Sequence, residues 1–154
     1  MKNLKDYEIN GKTLALVPLN NKTRVYEKGK TFIVDKSTYQ VMEDSCQYFG
    51  SSLQGRQKGT TNLTGITHKA PIIVEESRDI IFFPTASPKG GKCAWISLNN
   101  LENYEELEDE VKLVFTKDDV LNVNVSYGII DNQVLRATKL ESALRKRKSK
   151  DKNF

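Results

Sequence analysis

In the first 127 residues, hydrophobic positions fall in short runs separated by glycine, asparagine and charged residues. Runs of this kind are typical of β-strands joined by tight turns, and Asn10-Gly11 supplies the positive φ angles of such a turn. Four hairpins are predicted: 7–9 with 13–17, 25–27 with 31–34, 71–74 with 80–83, and 111–115 with 120–127. A further strand is predicted at 94–98, and the two runs at 71–74 and 80–83 are apolar enough to be buried on both faces.

Two segments depart from this pattern. Residues 41–57 suit a helix, but Gly50 and Gly55 would each cost about 1 kcal/mol in a helix interior relative to alanine. We therefore expect a helix that is interrupted or ends near one of those glycines. The acidic segment 103–110 is expected to be a short helix or a loop.

The last element is predicted to be a helix with Asp131 as its N-cap, ending near Lys148. At 100° per residue, four apolar side chains fall on one arc and the cations fall on the opposite one, with Leu135 as an exception. The predicted fold class is α+β: mainly antiparallel β-hairpins, a central helical or glycine-broken segment, and a basic amphipathic C-terminal helix. We expect one domain over residues 1–148 and a disordered basic tail over 149–154.

Charge changes the picture because it is segregated. The 154-residue chain carries a formal net charge of only +4, yet six acids and no base lie between Glu102 and Glu110. From Arg136 onward there are eight basic residues against two acidic ones. A basic terminal segment is either a solvated tail or a contact for nucleic acid or another acidic surface, and charge alone leaves both open.

The cellular compartment is predicted from what the sequence lacks. The N-terminal residues have no apolar core of the kind found in signal peptides, and no run approaches the roughly 18 apolar residues of a membrane span. Two cysteines, Cys46 and Cys93, suit free buried thiols in a reducing cytoplasm better than a disulfide framework. We expect a soluble cytoplasmic, nucleoid-associated protein with no membrane partner.

Enzyme chemistry has few candidate residues. His68 is the only histidine, and two cysteines with one histidine do not complete the usual four-ligand zinc site. We therefore expect no catalytic residues, no metal and no cofactor. A small enzyme using Cys93 or His68 as its reactive group remains an alternative class.

The segment 45–60, called here the signature segment, combines glycines, small hydroxyls, glutamine amides and two cations. Backbone amides, hydroxyls and cations at a glycine-rich surface suit phosphate or sugar oxygens. The loop 84–92 is either a plain surface connection or a mobile arm that touches a ligand. The candidate DNA-binding residues are Gly50, Ser51, Ser52, Gln54, Arg56, Lys58, Lys69, Arg136, Lys139, Lys146 and Arg147. General principles go no further than a candidate polyanion binder.

Specific motifs then point to a family. They are YEING (7–11), DSCQYFGSS (44–52) with GR (55–56) and GT (59–60), ITHKAPI (66–72), FPT (83–85), CAWIS (93–97) and DNQV (131–134). In this order, and over nearly the whole chain, they resemble the competence transcription factor (ComK) family.

The resemblance implies a bacterial regulator that activates DNA-uptake genes. Members of that family bind as multimers to paired A/T-rich boxes through the minor groove, which implies A/T-rich double-stranded DNA and a homo-oligomer as partners. We place Arg56 and Lys58 in the groove, Lys69 and the cations of the last helix on phosphates, and give His68 a role in positioning its loop.

One departure from the family pattern concerns the C-terminus. Longer members carry an extended C-terminal region with a motif for an adaptor that delivers them to a protease, and the sequence ends at Phe154 without it. Adaptor-controlled turnover is therefore not expected. The alternative function is a protein-interaction modulator that pairs with a longer relative in a hetero-oligomer and limits its activity.

Overall fold

A computed structural model describes residues 2–151 of the chain. Within that range there are three helices and ten strands, and the fold is α+β as predicted. The elements in chain order are β1 (Asn3–Leu4), β2 (Thr13–Leu19), β3 (Lys22–Glu27), β4 (Lys30–Val34), α1 (Thr38–Tyr48), α2 (Leu53–Thr64), β5 (Ile72–Glu75), β6 (Ile80–Pro84), β7 (Trp95–Ser97), β8 (Asn103–Glu106), β9 (Val111–Val114), β10 (Val120–Val123) and α3 (Tyr127–Asp151).

Two sheets organise the described residues. The larger one has the strand order β1-β4-β3-β2-β7-β6-β5, and the smaller one has the order β10-β9-β8. Only β1 and β4 pair in parallel; all other neighbours in these sheets are antiparallel. The predicted hairpins β3–β4, β5–β6 and β9–β10 are confirmed, as is the strand β7.

The large sheet is the middle layer of the fold because successive side chains of its central strands enter two different cores. Ile72, Val74 and Trp95 pack on the face that α1 and the start of α2 cover. Ile73 and Ile96 pack on the opposite face, under α3 and the small sheet. This double burial explains the two apolar runs at 71–74 and 80–83, in which successive residues are hydrophobic.

The helical segment breaks at Gly50, as the sequence indicated. Gly50 has φ +88°, a left-handed conformation that favours glycine, and α1 ends two residues before it. The chain then starts a second helix with Ser52 as its N-cap. Gly55 lies inside α2, so only one of the two glycines interrupts the helix.

The predicted first hairpin is wrong. Residues 7–9 form no strand, and β2 pairs instead with β3 and β7. The Ile9 amide donates to the Ser45 hydroxyl of α1 at 3.0 Å, and the Tyr7 hydroxyl bonds Thr13 and Glu27. The side chains of Tyr7 and Ile9 are buried in the core between α1 and the sheet, so this segment packs as an irregular loop rather than as a strand.

The acidic segment is also different from the prediction, because residues 103–106 form strand β8. Its acids face solvent while Tyr104 turns inward, with its ring 5.4 Å from that of Tyr127 and its hydroxyl 2.6 Å from the Asp131 carboxylate. An alternating pattern with one inward aromatic is enough for a strand when a partner such as β9 is available.

The last helix is longer than predicted at both ends. It begins at Tyr127, so Asp131 is not its N-cap; the Ser126 hydroxyl accepts a bond from the Ile129 amide at 3.3 Å, and Asp131 accepts from Tyr104. It ends at Asp151, so Ser149–Asp151 are helical rather than part of a disordered tail, and residues 152–154 of that tail lie outside the described residues. Over residues 2–151, no helix has the length and apolar character to cross a membrane.

Candidate nucleic-acid interface

The candidate residues cluster where α2 and α3 meet the edge of the large sheet. β5 is the edge strand, and α2 packs against both β5 and α3. The Thr60 hydroxyl of α2 donates to the Pro71 carbonyl at 2.6 Å, just before β5 begins. α3 contacts the loop before β5 near its start and the β5–β6 turn near its end. The two helices thus form one outer surface beside this edge.

The hydroxyls of the signature segment are used to start α2. The Ser52 hydroxyl accepts a bond from the Gly55 amide at 2.9 Å, which is N-cap geometry. A Cβ at Gly55 would lie 2.9 Å from the Ser51 hydroxyl oxygen and 3.1 Å from that of Ser52. A glycine suits this position because two hydroxyls crowd the helix start, and Ser51 and Ser52 have a local structural role that the sequence did not reveal.

Of the three polar candidate side chains on α2, Gln54 and Lys58 are exposed and Arg56 is not. Gln54 and Lys58 are exposed and four residues apart, so they share one face of the helix. Arg56 is half-buried, and its Nε has no hydrogen-bond partner among the described residues. It lines a cleft of about 470 Å³ with two carboxylates, Glu75 and Glu76. Lys58 is thus exposed to solvent, whereas Arg56 is partly enclosed in a cleft that acids also line.

The same cleft holds the end of α3. The Arg147 guanidinium lies 2.6 Å from the Glu76 carboxylate, and the Lys148 ammonium lies 2.7 Å from that of Asp79. Lys148 also donates to the Glu76 carbonyl at 2.6 Å. These contacts fasten the end of α3 to the β5–β6 turn, so the Arg147 charge is partly neutralised within the protein.

The loop before β5 presents Lys69. This residue has φ +49°, an uncommon conformation for a side chain other than glycine, and its side chain is exposed. Its carbonyl accepts bonds from the Gln133 amide at 2.8 Å and from the Arg136 guanidinium at 3.3 Å. Arg136 also donates to the His68 carbonyl at 2.5 Å, and partial burial lowers the pKa of its guanidinium.

A groove of about 480 Å³ separates α2 from the outer side of α3. Lys139 and Lys146 line it, seven residues apart and on one face of α3. Leu135 lies on the same side and is 63% exposed, which accounts for its departure from the amphipathic pattern. The groove combines an apolar floor with two exposed cations.

The structure therefore sorts the sequence candidates into two groups. Lys58, Lys69, Lys139 and Lys146 are exposed cations that no ion pair within residues 2–151 engages. Arg56, Arg136 and Arg147 are held by, or lie beside, other protein groups. Sequence reasoning did not select Gln133 as a functional residue; its place in the DNQV motif, on a helix side otherwise apolar, was the available signal.

The candidate reactive groups are two buried cysteines and one exposed histidine. Cys46 and Cys93 are fully buried, and burial raises the pKa of the Cys46 thiol to about 12 and that of Cys93 to about 11. Both thiols are thus protonated near neutral pH, where a nucleophile would need the thiolate. His68 lies on the exposed loop beside Lys69.

Taken together, an outer pair of helices with exposed lysines, backed by a β-sheet core, defines a candidate nucleic-acid-binding protein. A family model described as "ComK protein" matches residues 4–149. The chain therefore belongs to the ComK family, which confirms the resemblance in its motifs.

A curated relative supports this assignment. The chain is 35% identical over 149 residues to the "Competence transcription factor" of Bacillus subtilis (strain 168). The alignment covers 94% of this chain and 78% of that relative. A transcription factor is not a class of enzyme. No solved structure shows a significant match.

Proposed function

We propose that this protein is a DNA-binding transcription regulator of competence genes that contacts paired A/T-rich boxes through the minor groove. The observation that carries the proposal is the family match over nearly the whole chain. The exposed lysines of α2, α3 and the loop before β5 agree with it, because phosphate contacts need cations that the protein itself does not neutralise.

Different lysines are proposed to contact different parts of the DNA. Lys139 and Lys146, on one face of α3, are placed to follow a phosphate backbone. Lys58 on α2 and Lys69 on its loop are the side chains we propose for the groove and its rim. The narrow minor groove of A/T-rich DNA has a strongly negative potential that attracts inserted basic side chains with little base-specific bonding.

Arg56 differs from Lys58 in its accessibility. Its side chain is half-buried, in a cleft that Glu75 and Glu76 also line, so it is less accessible to DNA than the exposed Lys58. We therefore rank Lys58 ahead of Arg56 as a groove contact, although both remain in the proposed site with Gln54. Gly50, Ser51 and Ser52 then contribute by shaping the start of α2.

The acids of β8 and the β8–β9 turn favour one orientation on DNA. Three of them, Glu106, Glu108 and Asp109, are exposed and line a pocket with Ser126 and Tyr127, next to the first turn of α3. The cations of α3 that we assign to phosphates lie further along the same helix. Repulsion of phosphates at one end and attraction along the rest would align α3 on the duplex.

Paired boxes imply more than one DNA-binding subunit. A site with two boxes is most simply bound by two copies of one chain, because symmetric DNA half-sites reflect a symmetric protein. We therefore propose a homo-oligomer on DNA in the cytoplasm.

The test is a fluorescence-anisotropy titration of a duplex carrying two A/T-rich boxes over a salt series. Log affinity should fall with log salt by about 0.9 per phosphate contact. Lys58→Ala should weaken binding, and Lys146→Ala, which removes a proposed phosphate contact, should also reduce the slope by about 0.9. Lys117→Ala, an exposed lysine on the β9–β10 turn, is the matched control and should change neither quantity.

Absence of any complex at low salt would refute the proposal. If the same protein then formed a mixed oligomer with a longer family member, the alternative of a protein-interaction modulator would be favoured instead.

A further inference from the structure

We propose that Gln133 and Arg136 form a clamp that holds the loop of Lys69 in its DNA-binding shape, so that Arg136 acts on other residues rather than on phosphate. The inference rests on the proposed DNA-binding function. It assigns a positioning role to two residues of α3, which we call the loop clamp.

The Gln133 side chain is well placed for this role. It is only 3% exposed, so it cannot itself reach DNA. Its amide nitrogen donates to the Lys69 carbonyl at 2.8 Å and to the Pro84 carbonyl at 2.7 Å. One side chain therefore ties the loop before β5 to the last residue of β6.

Arg136 completes the clamp. One terminal nitrogen donates to the Gln133 amide oxygen at 2.5 Å and to the Lys69 carbonyl at 3.3 Å. The other donates to the His68 carbonyl at 2.5 Å. The fork of a guanidinium can satisfy three acceptors in one plane, which a lysine ammonium on a flexible stem does not reproduce. Arg136 also fixes the Gln133 amide so that its nitrogen, not its oxygen, faces the two carbonyls.

The held loop has a conformation that needs support. Lys69 has φ +49°, and a non-glycine residue persists in that region only when its surroundings impose it. The peptide carbonyls on both sides of this residue are the acceptors of the clamp. The exposed Lys69 side chain thus projects from a backbone fixed at its base, which reduces the ordering cost of binding DNA.

The clamp makes a prediction that a phosphate contact does not. Gln133→Met keeps the length of the side chain and removes both donors. If the loop is then in its competent form for a smaller fraction of the time, the apparent Kd rises in inverse proportion to that fraction. We expect binding roughly three- to tenfold weaker, with an unchanged salt slope because no phosphate contact is lost.

The experiment combines hydrogen–deuterium exchange of the free protein with the anisotropy salt series. Amides 66–70 should exchange faster in Gln133→Met and in Arg136→Lys, and both variants should bind DNA more weakly. Asn132→Met is the control: replacing an amide by methionine at an exposed neighbour on α3 should leave exchange and affinity unaltered. Circular dichroism checks that each variant retains its helices.

Two results would overturn the clamp. One is unchanged exchange of amides 66–70 in both variants. The other is wild-type binding by Arg136→Lys together with a slope reduced by about 0.9 in Arg136→Ala, which would make Arg136 a phosphate contact. Exchange is measured without DNA, so the two proposals can fail separately. Failure of the wild type to bind DNA would count against the proposed function, whereas the exchange data alone decide the structural role of the clamp.

Discussion

Three glycines of the signature segment should respond in different ways to the same substitution, alanine. Gly50 has φ +88°, and a Cβ added to it would meet nothing within 4 Å, so only backbone strain opposes Gly50→Ala. An L-residue in the left-handed region costs roughly 1–2 kcal/mol. Gly59 lies inside α2, also with open space where a Cβ would be. There alanine should stabilise the fold by about 0.5–1 kcal/mol, because glycine is the poorer helix former.

These energies convert into measurable shifts. For a chain of this size, 1 kcal/mol changes Tm by about 2–4 °C. Gly50→Ala should therefore lower Tm by about 2–8 °C, while Gly59→Ala should raise it by about 1–4 °C. Gly55→Ala should be destabilising for a different reason, since its Cβ would push the Ser52 hydroxyl away from the helix-capping bond.

Thermal unfolding followed by circular dichroism is the assay, with all three variants measured in one buffer. The sign of the Tm change in Gly59→Ala is the most informative result. The sequence alone does not distinguish a glycine that only occupies a helix from one whose backbone conformation requires glycine. An unchanged Tm in Gly50→Ala would refute the left-handed break between α1 and α2, and a lowered Tm in Gly59→Ala would refute the helical reasoning at that position.

Two further predictions follow from burial and charge. The buried thiols of Cys46 and Cys93 have pKa values raised to about 12 and about 11 from an ordinary value of 9.0, so their contribution to stability is complete below pH 9 and is lost as the pH rises toward those values. Tm should fall less between pH 8 and pH 10 when both are replaced by alanine, and an identical fall would contradict the burial argument. Lys146→Ala should weaken DNA binding more than Arg147→Ala, since Arg147 is already paired with a carboxylate; anisotropy titrations showing the reverse order would shift the interface toward the β5–β6 turn.

Local patterns predicted most of the fold. The hairpins around Gly29 and around residues 76–79 have clear turn residues between β-rich runs, and Gly50 marks the helix break because its conformation is one that few other residues adopt. These features depend on neighbours in the sequence, which is why the sequence alone was enough.

Predictions failed where distant residues decide the outcome. Asn10-Gly11 has a strong turn signal, yet Tyr7 and Ile9 are drawn into the core by Glu27 and Ser45, so the preceding run forms no strand. β8 forms because it pairs with β9. The sequence did not predict it, because the acidic residues around Tyr104 made the segment look like a solvated loop or helix.

The candidate site was only partly visible for the same reason. Lys58 and Lys69 were selected as cations, and both prove to be exposed. The sequence could not distinguish them from Arg136, whose guanidinium is committed to the carbonyls of a loop 67 and 68 residues away. Whether a cation is available to a ligand is a property of the packed structure.

The central claim, DNA recognition from the minor groove, is tested most directly by base-pair substitution in the two A/T-rich boxes. Inosine·cytosine pairs keep the minor-groove pattern of A·T pairs but present the major-groove pattern of G·C pairs, whereas G·C pairs add an amino group to the minor groove. Anisotropy titrations at fixed salt should show affinity largely retained with inosine·cytosine boxes and strongly reduced with G·C boxes. Equal loss of affinity with both substitutions would contradict the account.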